Sequence, residues 1–307
     1  MSATLQKEKR LFPYPCGKPR DIVYTNGVWS VEEGAFQETL FIEVPDGKIV
    51  SEPLDIIYQI DGIHAAPWVH IVVGRGSSLF IREKVVALAP SSISLACTVS
   101  IGEGGSLSHA FLEPFSKGVE STVSFRAFVE RNASLSCISA TALPISRKTC
   151  SIFLEGESSS ADLKALSLAG KDREHENCVT IEHRGEKSSS SQLFKGVVAG
   201  FSSVESSVNV RAQGSKSHQL SRFLVVDDRA KTSNKPYLNV FTDDVEATHG
   251  ATTGQLESEA IWYLKSRGLS EKEARSLCIR GFCKEIIELF QDKDALEKDL
   301  EEMLYVY

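Results

Sequence analysis

Three segments of the chain decide its fold: VHIVVGRGSSLFI at residues 69–81, CTVSIGEGGSLSH at residues 97–109 and FRAFVERNASLSC at residues 125–137. Each segment begins 28 residues after the previous one, and all three have the same layout. Apolar residues alternate along the first half, as in a β-strand, and then run into a turn-rich triplet. A leucine opens the next extended stretch, and four leucines keep this spacing: Leu79, Leu107, Leu135 and Leu163.

A repeat of this length holds two strands of about ten residues and two turns, and it leaves no room for a crossover helix. Successive repeats can stack as the flattened coils of a right-handed parallel β-helix, in which each coil pairs only with its neighbours. An antiparallel β-sandwich also has short alternating strands, but it does not normally keep one spacing over four units. We therefore predict a mainly β fold, with the β-helix at residues 46–253 and a cap of extended segments at residues 1–45.

The pattern changes near the C-terminus, where apolar residues recur every three or four positions, as on an amphipathic helix. Gly268 is placed to end a first helix, and Ser270 with Glu273 forms a capping box that predicts the start of a second. A third, acidic helix is predicted at about residues 294–304. Three short helices bury little core alone, so we expect the helical domain at residues 254–307 to lean on the last coil and to present a surface to a partner.

Composition limits the classes of function. The net charge of −7 argues against a nucleic-acid or anionic-membrane surface, because both need clustered Lys and Arg. The sequence contains no apolar run of membrane-spanning length, and its N-terminus lacks the apolar core of a signal peptide, so we expect a cytoplasmic protein. Its seven cysteines should then be reduced, and with no CxxC pair among them we predict no zinc site.

The stretch between the predicted coils and helices reads DDVEATHGATTGQLESEAIWYLKSRGLSEKEAR, at residues 243–275. It resembles the C-terminal signature of the SufB/SufD family, scaffold components of iron–sulfur cluster assembly. That signature has an acidic pair, a Cys-Ser-His-Gly-Ala-Thr-like segment, Gly-Gln-Leu, and a helix that ends in Ser-Arg-Gly. The matching residues are Asp243, Asp244, His249, Gly250, Ala251, Thr252, Gly254, Gln255, Leu256, Ser266, Arg267 and Gly268. Looser matches, such as Lys195-Gly196-Val197, extend the resemblance over about the last two-thirds of the chain.

Two departures from the family pattern indicate which branch the chain resembles. Many members carry a cysteine two residues before the histidine, whereas this chain has Ala247, whose side chain can neither accept sulfur nor ligate iron. The chain is also short, with little space for the N-terminal helical domain common in the family. Both features resemble the SufD branch more than the SufB branch.

The resemblance implies a non-catalytic scaffold subunit. It would pair with a SufB-like protein through the ends of their β-helices and bind the ABC-type ATPase SufC through its C-terminal helices. It implies no tightly bound cofactor, but a transient iron–sulfur cluster at the interface with the partner, with His249 as the candidate cluster-assembly residue. The sequence leaves open a homodimer as the alternative to the SufB-like pair.

Each candidate residue also has a plainer interpretation. A lone histidine such as His249 is more often a structural hydrogen-bonding group, although neutral imidazole replaces thiolate at some iron–sulfur centres. Asp243 and Asp244 are of a type that binds metal, but such a pair at a turn is more often a cap or a solvated corner, so no metal site is predicted. The candidate partner-binding residues are Trp262, Tyr263, Arg267, Phe282 and Ile286, and we expect one of the two adjacent aromatic residues to pack in the core instead.

The alternative function is a carbohydrate-active β-helix enzyme of the secreted type. Such an enzyme needs a set of carboxylates on one face of the coil, whereas Glu155, Glu157 and Asp162 are scattered between the predicted coils. The glycines between residues 74 and 105 resemble phosphate loops only superficially, since no Gly-Lys-Ser/Thr follows them. We therefore predict that the chain is not an enzyme.

Overall fold

The computed structural model describes residues 23–26, 30–32, 35–37, 39–62, 64–291 and 293–305. The chain forms a parallel β-helix of about eight turns with about 28 residues per coil, followed by a small helical part. This confirms the predicted fold class. The strands are β1 (Val23–Asn26), β2 (Ser30–Glu32), β3 (Ala35–Gln37), β4 (Thr39–Val44), β5 (Leu54–Ile60), β6 (His64–Ala65), β7 (Trp68–Val73), β8 (Ser78–Ala87), β9 (Ser91–Ile101), β10 (Ser106–Glu113), β11 (Val119–Val129), β12 (Ser134–Thr141), β13 (Ile145–Leu154), β14 (Ser160–Ala169), β15 (Glu174–His183), β16 (Ser189–Val198), β17 (Phe201–Val210), β18 (Ser215–Val225), β19 (Lys231–Val240) and β20 (Val245–Gln255).

The strands alternate between two sheets that form the two broad walls of the coil. We call sheet A the one that runs β1-β4-β7-β9-β11-β13-β15-β17-β19, and sheet B the one that runs β20-β18-β16-β14-β12-β10-β8-β5. From β4 and β5 onward, each strand pairs in parallel with the strand one coil further along its sheet. Side chains that alternate along a strand point to opposite faces of the sheet. One set therefore fills the inside of the coil, and the other set lies on its outer walls.

The repeat arises from one turn that recurs in every coil. One residue of each turn has a positive φ. Gly76 and Gly104 adopt this conformation without strain, and in the next coil Asn132 takes it with φ of 54°. The backbone N–H of each donates to a carbonyl of the following coil, as from Gly104 to Arg131 at 2.9 Å. Successive coils are therefore hydrogen-bonded to each other at the turn-rich triplets of the sequence.

Four leucines at 28-residue spacing should occupy equivalent inward positions in successive coils of a β-helix, and three of them do so. Leu79, Leu107 and Leu135 are register partners in neighbouring strands of sheet B, and all are buried. The coil that follows is two residues shorter at this corner, so Leu135 pairs with Ala161, and Leu163 pairs with Cys137 instead. A shift of two residues keeps the side chain on the same face. Leu163 is thus buried inside the coil, one position away from the predicted row.

Three helices follow the last strand: α1 (Ser258–Ser266), α2 (Glu271–Ile287) and α3 (Lys293–Tyr305). The capping box is present, since the side chain of Ser270 accepts from the backbone of Glu273 and the Glu273 side chain accepts from the backbone of Ser270. Gly268 adopts φ of 96° just after α1, as predicted for a residue that ends a helix. Within the described residues, none of the helices is long and apolar enough to cross a membrane.

The described part of the chain has two apolar layers. The larger fills the inside of the β-helix from Leu40 to Phe223. The second lies between the outer wall of sheet B and the helices, and joins residues such as Leu166 and Val197 of the sheet to Ile279 and Ile286 of α2. The helices therefore cover part of one wall of the coil rather than only its last turn.

The predicted cap at residues 1–45 falls partly outside the described residues, which begin at Val23. Within the described part, β1 runs antiparallel to β4, and β2 forms an antiparallel pair with β3. The β3 strand pairs in parallel with β6. These strands add to sheet A beside the first coil, and the covering role of the whole segment stays a prediction.

Candidate functional site at the open end of the β-helix

His249 lies on β20, the last strand of the coil, and its side chain is on the inward face. It is the register partner of Gln219, which in turn pairs with Gln192 of β16. Both glutamines are buried, but His249 is exposed. Ala247 is on the same inward face, in register with the buried Ser217. The histidine and the position of the missing thiol therefore sit side by side at the mouth of the β-helix.

The mouth is bordered by two strand edges. Among the described residues, β19 is the last strand of sheet A and β20 is the last strand of sheet B. Within this part of the chain, each therefore pairs with a neighbouring strand on one side only. An unpaired edge exposes backbone N–H and C=O groups that can pair with another chain. Tyr237, Val240 and Phe241 add apolar surface to this end, since 45%, 46% and 59% of their areas are exposed. We call this combination of two edges and inward side chains the open end.

The inside of the coil becomes polar directly beneath the open end. Ser206 donates to the side-chain carbonyl of Gln192 at 2.6 Å, and the amide of Gln219 donates to Ser206 at 3.1 Å. Ser190 and Ser217 are hydrogen-bonded at 3.0 Å. The lining is thus partly hydrogen-bonded, while the side-chain nitrogen of Gln192 and the side-chain carbonyl oxygen of Gln219 are buried and have no partner among the described residues.

Two buried histidines belong to this polar interior. The ring nitrogens of His183 are hydrogen-bonded to Ser188 at 2.9 Å and to Ser190 at 2.8 Å. Those of His175 are hydrogen-bonded to Ser167 at 2.7 Å and to the carbonyl of Leu143 at 2.7 Å. Burial lowers the pKa of each histidine from 6.5 to about 4. Both rings are therefore neutral at pH 7 and act as structural hydrogen-bonding groups inside the coil.

The acidic pair of the motif lies at the turn between β19 and β20. Asp243 and Asp244 are both exposed, and the backbone carbonyl of Asp244 accepts from Gly214 at 2.8 Å as part of the recurring turn. No group of three or more His, Cys, Asp or Glu side chains that could hold a metal ion occurs within the described ranges. An iron site at His249 would therefore need ligands from outside this part of the chain.

Three cysteines, which are potential metal ligands, lie inside the coil and away from the open end. Cys97, Cys137 and Cys150 line a cavity of about 80 Å³ together with Glu83 and His109. Burial raises the pKa of Cys97 and Cys137 well above the usual value and that of Cys150 to about 12. Because the thiolate is the nucleophile and the metal ligand, these three protonated thiols are poor sulfur acceptors.

The predicted partner-binding residues separate into two groups. Trp262 and Tyr263 on α1 are 72% and 52% exposed, and the guanidinium of Arg267 lies 5.3 Å from the Tyr263 ring. Neither aromatic residue packs in the core, so the expectation that one of them would do so is wrong. Ile286 is fully buried and Phe282 is partly buried, both against sheet B. These two residues pack between α2 and sheet B, so they can stabilise the helices but do not form their exposed surface.

The carboxylates considered for a carbohydrate-active enzyme are engaged separately. Glu155 and Glu157 lie in a turn, where they pair with Arg184 at 2.7 Å and Lys187 at 2.6 Å. Asp162 lies on the outer wall of sheet B and pairs with Lys164 at 3.0 Å. The structure does not assemble them into a facing acid–base pair.

Sequence reasoning missed the polar interior and the apolar rim of the open end. The signal for the interior was present, because Gln192, Gln219 and His249 recur at 27 and 30 residues, close to the length of one coil. Their importance depends on register, which only the pairing of β16, β18 and β20 establishes. The rim residues carried no signal, since a strand edge cannot be told from a paired strand by its own sequence.

The sequence is similar to known proteins of iron–sulfur cluster assembly. The family model described as "SUF system FeS cluster assembly, SufBD core domain" matches residues 58–282. The chain is 26% identical over 87% of its length to an iron–sulfur cluster assembly SufBD family protein of Mycobacterium leprae, and equally to the iron–sulfur cluster assembly protein SufD of Escherichia coli. It is 25% identical over 79% of its length to SufB of Bacillus subtilis.

The match covers only part of each relative, namely 32%, 66% and 54% of their own lengths. The alignment to SufD covers a larger share of both chains than the alignment to SufB. The family match nevertheless includes nearly the whole β-helix, the motif that carries His249, and most of α2. The chain therefore belongs to the SufB/SufD family of iron–sulfur cluster assembly proteins.

Proposed function

We propose that this protein is a SufD-like, non-catalytic scaffold subunit of a cytoplasmic iron–sulfur cluster assembly complex. The observation that carries the proposal is the open end, where an exposed inward histidine lies between two available strand edges. A cytoplasmic location fits the cysteines, because all six in the described residues are free thiols.

The open end is the proposed interface with a second β-helix. A partner strand can add to the edges of β19 and β20 by backbone hydrogen bonding, and the exposed Tyr237, Val240 and Phe241 would be covered in the process. This chain has Ala247 where many family members have a cysteine, so a thiol at the interface would have to come from the partner. We therefore propose a SufB-like chain as that partner. A homodimer is the alternative, and it would place two copies of His249 at one interface without that thiol.

The helical surface around Trp262 and Tyr263 is the proposed docking site for a SufC-like ABC-type ATPase. Exposed tryptophan and tyrosine are the residues most often found at the energetic centre of an interface. Here both project from α1, which has no buried residues of its own and follows directly after β20. A partner bound to α1 would therefore act close to the strand that carries His249.

The role of His249 is tested by His249→Ala in a reconstituted complex with the SufB-like and SufC-like proteins. We expect slower cluster formation with an unchanged thermal melt, because an exposed side chain contributes little to stability. His218→Ala is the matched control: His218 is exposed on the neighbouring strand, but it points outward and is hydrogen-bonded to Thr248 at 2.7 Å. Normal assembly with a lowered melting temperature would make His249 a structural residue.

The docking surface is tested by the double substitution Trp262→Ala and Tyr263→Ala, with binding of the untagged protein to a tagged SufC-like ATPase as the readout. We expect affinity to fall by about 30-fold or more, as for loss of a central aromatic anchor. Trp68→Ala is the matched control, because Trp68 is 48% exposed on the outer wall of sheet A. Equal loss in the control, or no loss in the double variant, would move the site elsewhere.

A further inference from the structure

A buried lysine connects the β-helix to the helices. Lys195 lies on β16 in the middle of sheet B, in register with Leu166 and Arg222 on the neighbouring strands. Its side chain is on the outer wall, within the apolar layer that also contains Leu193 and Val197 of the same strand. Only 6% of the Lys195 side chain is exposed. Lysine is almost never buried to this extent unless it is paired.

The ammonium group of Lys195 has two partners on α2, one turn apart. It donates to the backbone carbonyl of Phe282 at 3.0 Å and to the carboxylate of Glu285 at 2.6 Å. It also lies 5.2 Å from the centroid of the Phe282 ring. The hydrogen bond from Lys195 is the largest of the effects that lower the pKa of Glu285. The contact is therefore a charged pair joined to a specific point of the helix backbone.

These contacts are not needed to hold α2 on the sheet. Ile279, Cys283 and Ile286 are fully buried in the same layer and provide the apolar attraction. That attraction is non-directional, so it would tolerate a helix that has slid or rotated on the sheet. Lys195 is buried whereas the Glu285 side chain is 58% exposed, so the desolvation cost falls on the lysine and offsets most of the gain from its partners. The geometry of the contact nevertheless selects one arrangement of the helix.

The neighbouring glycine keeps the strand in place for this contact. A Cβ atom on Gly196 would lie 2.4 Å from the Phe223 ring, so this position allows Phe223 to pack against the backbone beside Lys195. The orientation of α1 depends in turn on α2, to which it is joined by a short turn and by an ion pair between Lys265 and Glu271 at 2.9 Å.

We propose that Lys195 is a positioning residue that fixes the rotation and the axial position of α2 on sheet B, and thereby the orientation of Trp262 and Tyr263 on α1. The part that concerns partner binding rests on the proposed docking of the ATPase. The part that concerns the placement of α2 does not, and it has its own measurement.

The reactivity of Cys283 on α2 reports whether the helix keeps its position on sheet B. Cys283 is fully buried against sheet B, next to the Lys195 contact, whereas Cys178 is exposed on the outer wall of sheet A. In Lys195→Met, α2 loses its fixed position, and we expect alkylation of Cys283 in the native protein to become about tenfold faster or more relative to Cys178. Burial raises the pKa of Cys283 to about 12 and the Lys195 charge acts in the opposite direction, so loss of the charge alone would slow the reaction.

Stability and partner binding complete the experiment. The denaturation midpoint of Lys195→Met should be equal to or above that of the wild type, since Met is apolar and similar in length. Its affinity for a tagged SufC-like ATPase should fall about tenfold or more, and Glu285→Gln should have a smaller effect because the carbonyl of Phe282 remains. Lys187→Met is the matched control, because it removes an exposed lysine paired with Glu157 far from the helices.

Each combination of results supports or refutes the positioning role of Lys195. Cys283 protected as in the wild type, or exposed only in step with a lowered denaturation midpoint, would overturn the positioning role. Exposed Cys283 with an unchanged midpoint and weaker ATPase binding supports the whole proposal. Exposed Cys283 in the variant, together with no ATPase binding even by the wild type, would support the positioning of α2 and refute the proposed docking function.

Discussion

His175 and His183 should make the β-helix sensitive to mild acid. His175 and His183 are neutral inside the coil, where burial lowers the pKa of each from 6.5 to about 4. In the unfolded chain they take up protons as the pH falls through 6.5. The stability that they contribute is therefore fully present above pH 6.5, declines as the pH falls from 6.5 to 4, and is lost below about pH 4.

The size of the effect follows from these pKa values. Between pH 7 and pH 5, each histidine should reduce the free energy of unfolding by about 2 kcal/mol, and the two together by about 4 kcal/mol. This is a large share of the 5–15 kcal/mol that is typical of a folded domain. Asp299 acts in the opposite direction at acid pH, because burial raises its pKa, so a comparison of variants is needed to isolate the histidines.

The assay is urea denaturation at pH 7, 6 and 5 of the wild type and of a double variant, His175→Gln with His183→Gln. The double variant will be less stable at pH 7, because glutamine does not reproduce the ring contacts. Its stability should nevertheless decline much less between pH 7 and pH 5. The carboxylates contribute equally to both proteins and cancel in the comparison. Equal declines in the two proteins would refute the assignment of the acid sensitivity to these rings.

Three further predictions concern packing and the open end. Leu135→Ala should reduce the free energy of unfolding by about 2–5 kcal/mol, since Leu135 is 2% exposed, whereas the 62% exposed Leu88→Ala should have little effect in the same urea denaturation. Gly196→Ala should lower the melting temperature because its Cβ would lie 2.4 Å from the Phe223 ring, whereas Gly254→Ala, with no atom within 4 Å of the new Cβ, should not; equal melting temperatures would contradict the close packing. Ala247→Cys should leave the fold intact and give a thiol that is alkylated in the native protein while Cys97 stays protected, as mass spectrometry of the peptides would show; a protected thiol at position 247 would mean that the open end is covered.

The parts of the fold that the sequence predicts are those set by local rules. The turn triplets required residues that tolerate a positive φ, and Gly76, Gly104 and Asn132 supplied them at equal spacing. The capping box at Ser270 likewise fixed the start of α2. These signals depend on a few adjacent residues, so they can be read before any long-range contact is known.

The parts that could not be predicted depend on register between coils. Leu163 keeps the 28-residue spacing in sequence, but the shorter coil between Ser134 and Ser160 moves it beside Cys137. The partners of Lys195 are about 90 residues away on α2, and no local pattern distinguishes this lysine from an exposed one. The exposure of both Trp262 and Tyr263 follows from how α1 sits on α2, which the amphipathic pattern of α1 does not determine.

The composition of the open end bears on how a cluster would be held there. If another coil of this chain covered the open end, Ala247 and His249 would be as buried as Ser217 and Gln219, their register partners. His249 is exposed instead, and it offers one imidazole where an iron–sulfur cluster usually needs four ligands. The three thiols inside the coil have raised pKa values and are protonated, so they are poor candidates for the remaining positions. On the proposed function, most ligands must then come from the chain that covers the open end. Loss of His249 should accordingly slow assembly by the pair of subunits, whereas loss of the partner should abolish it.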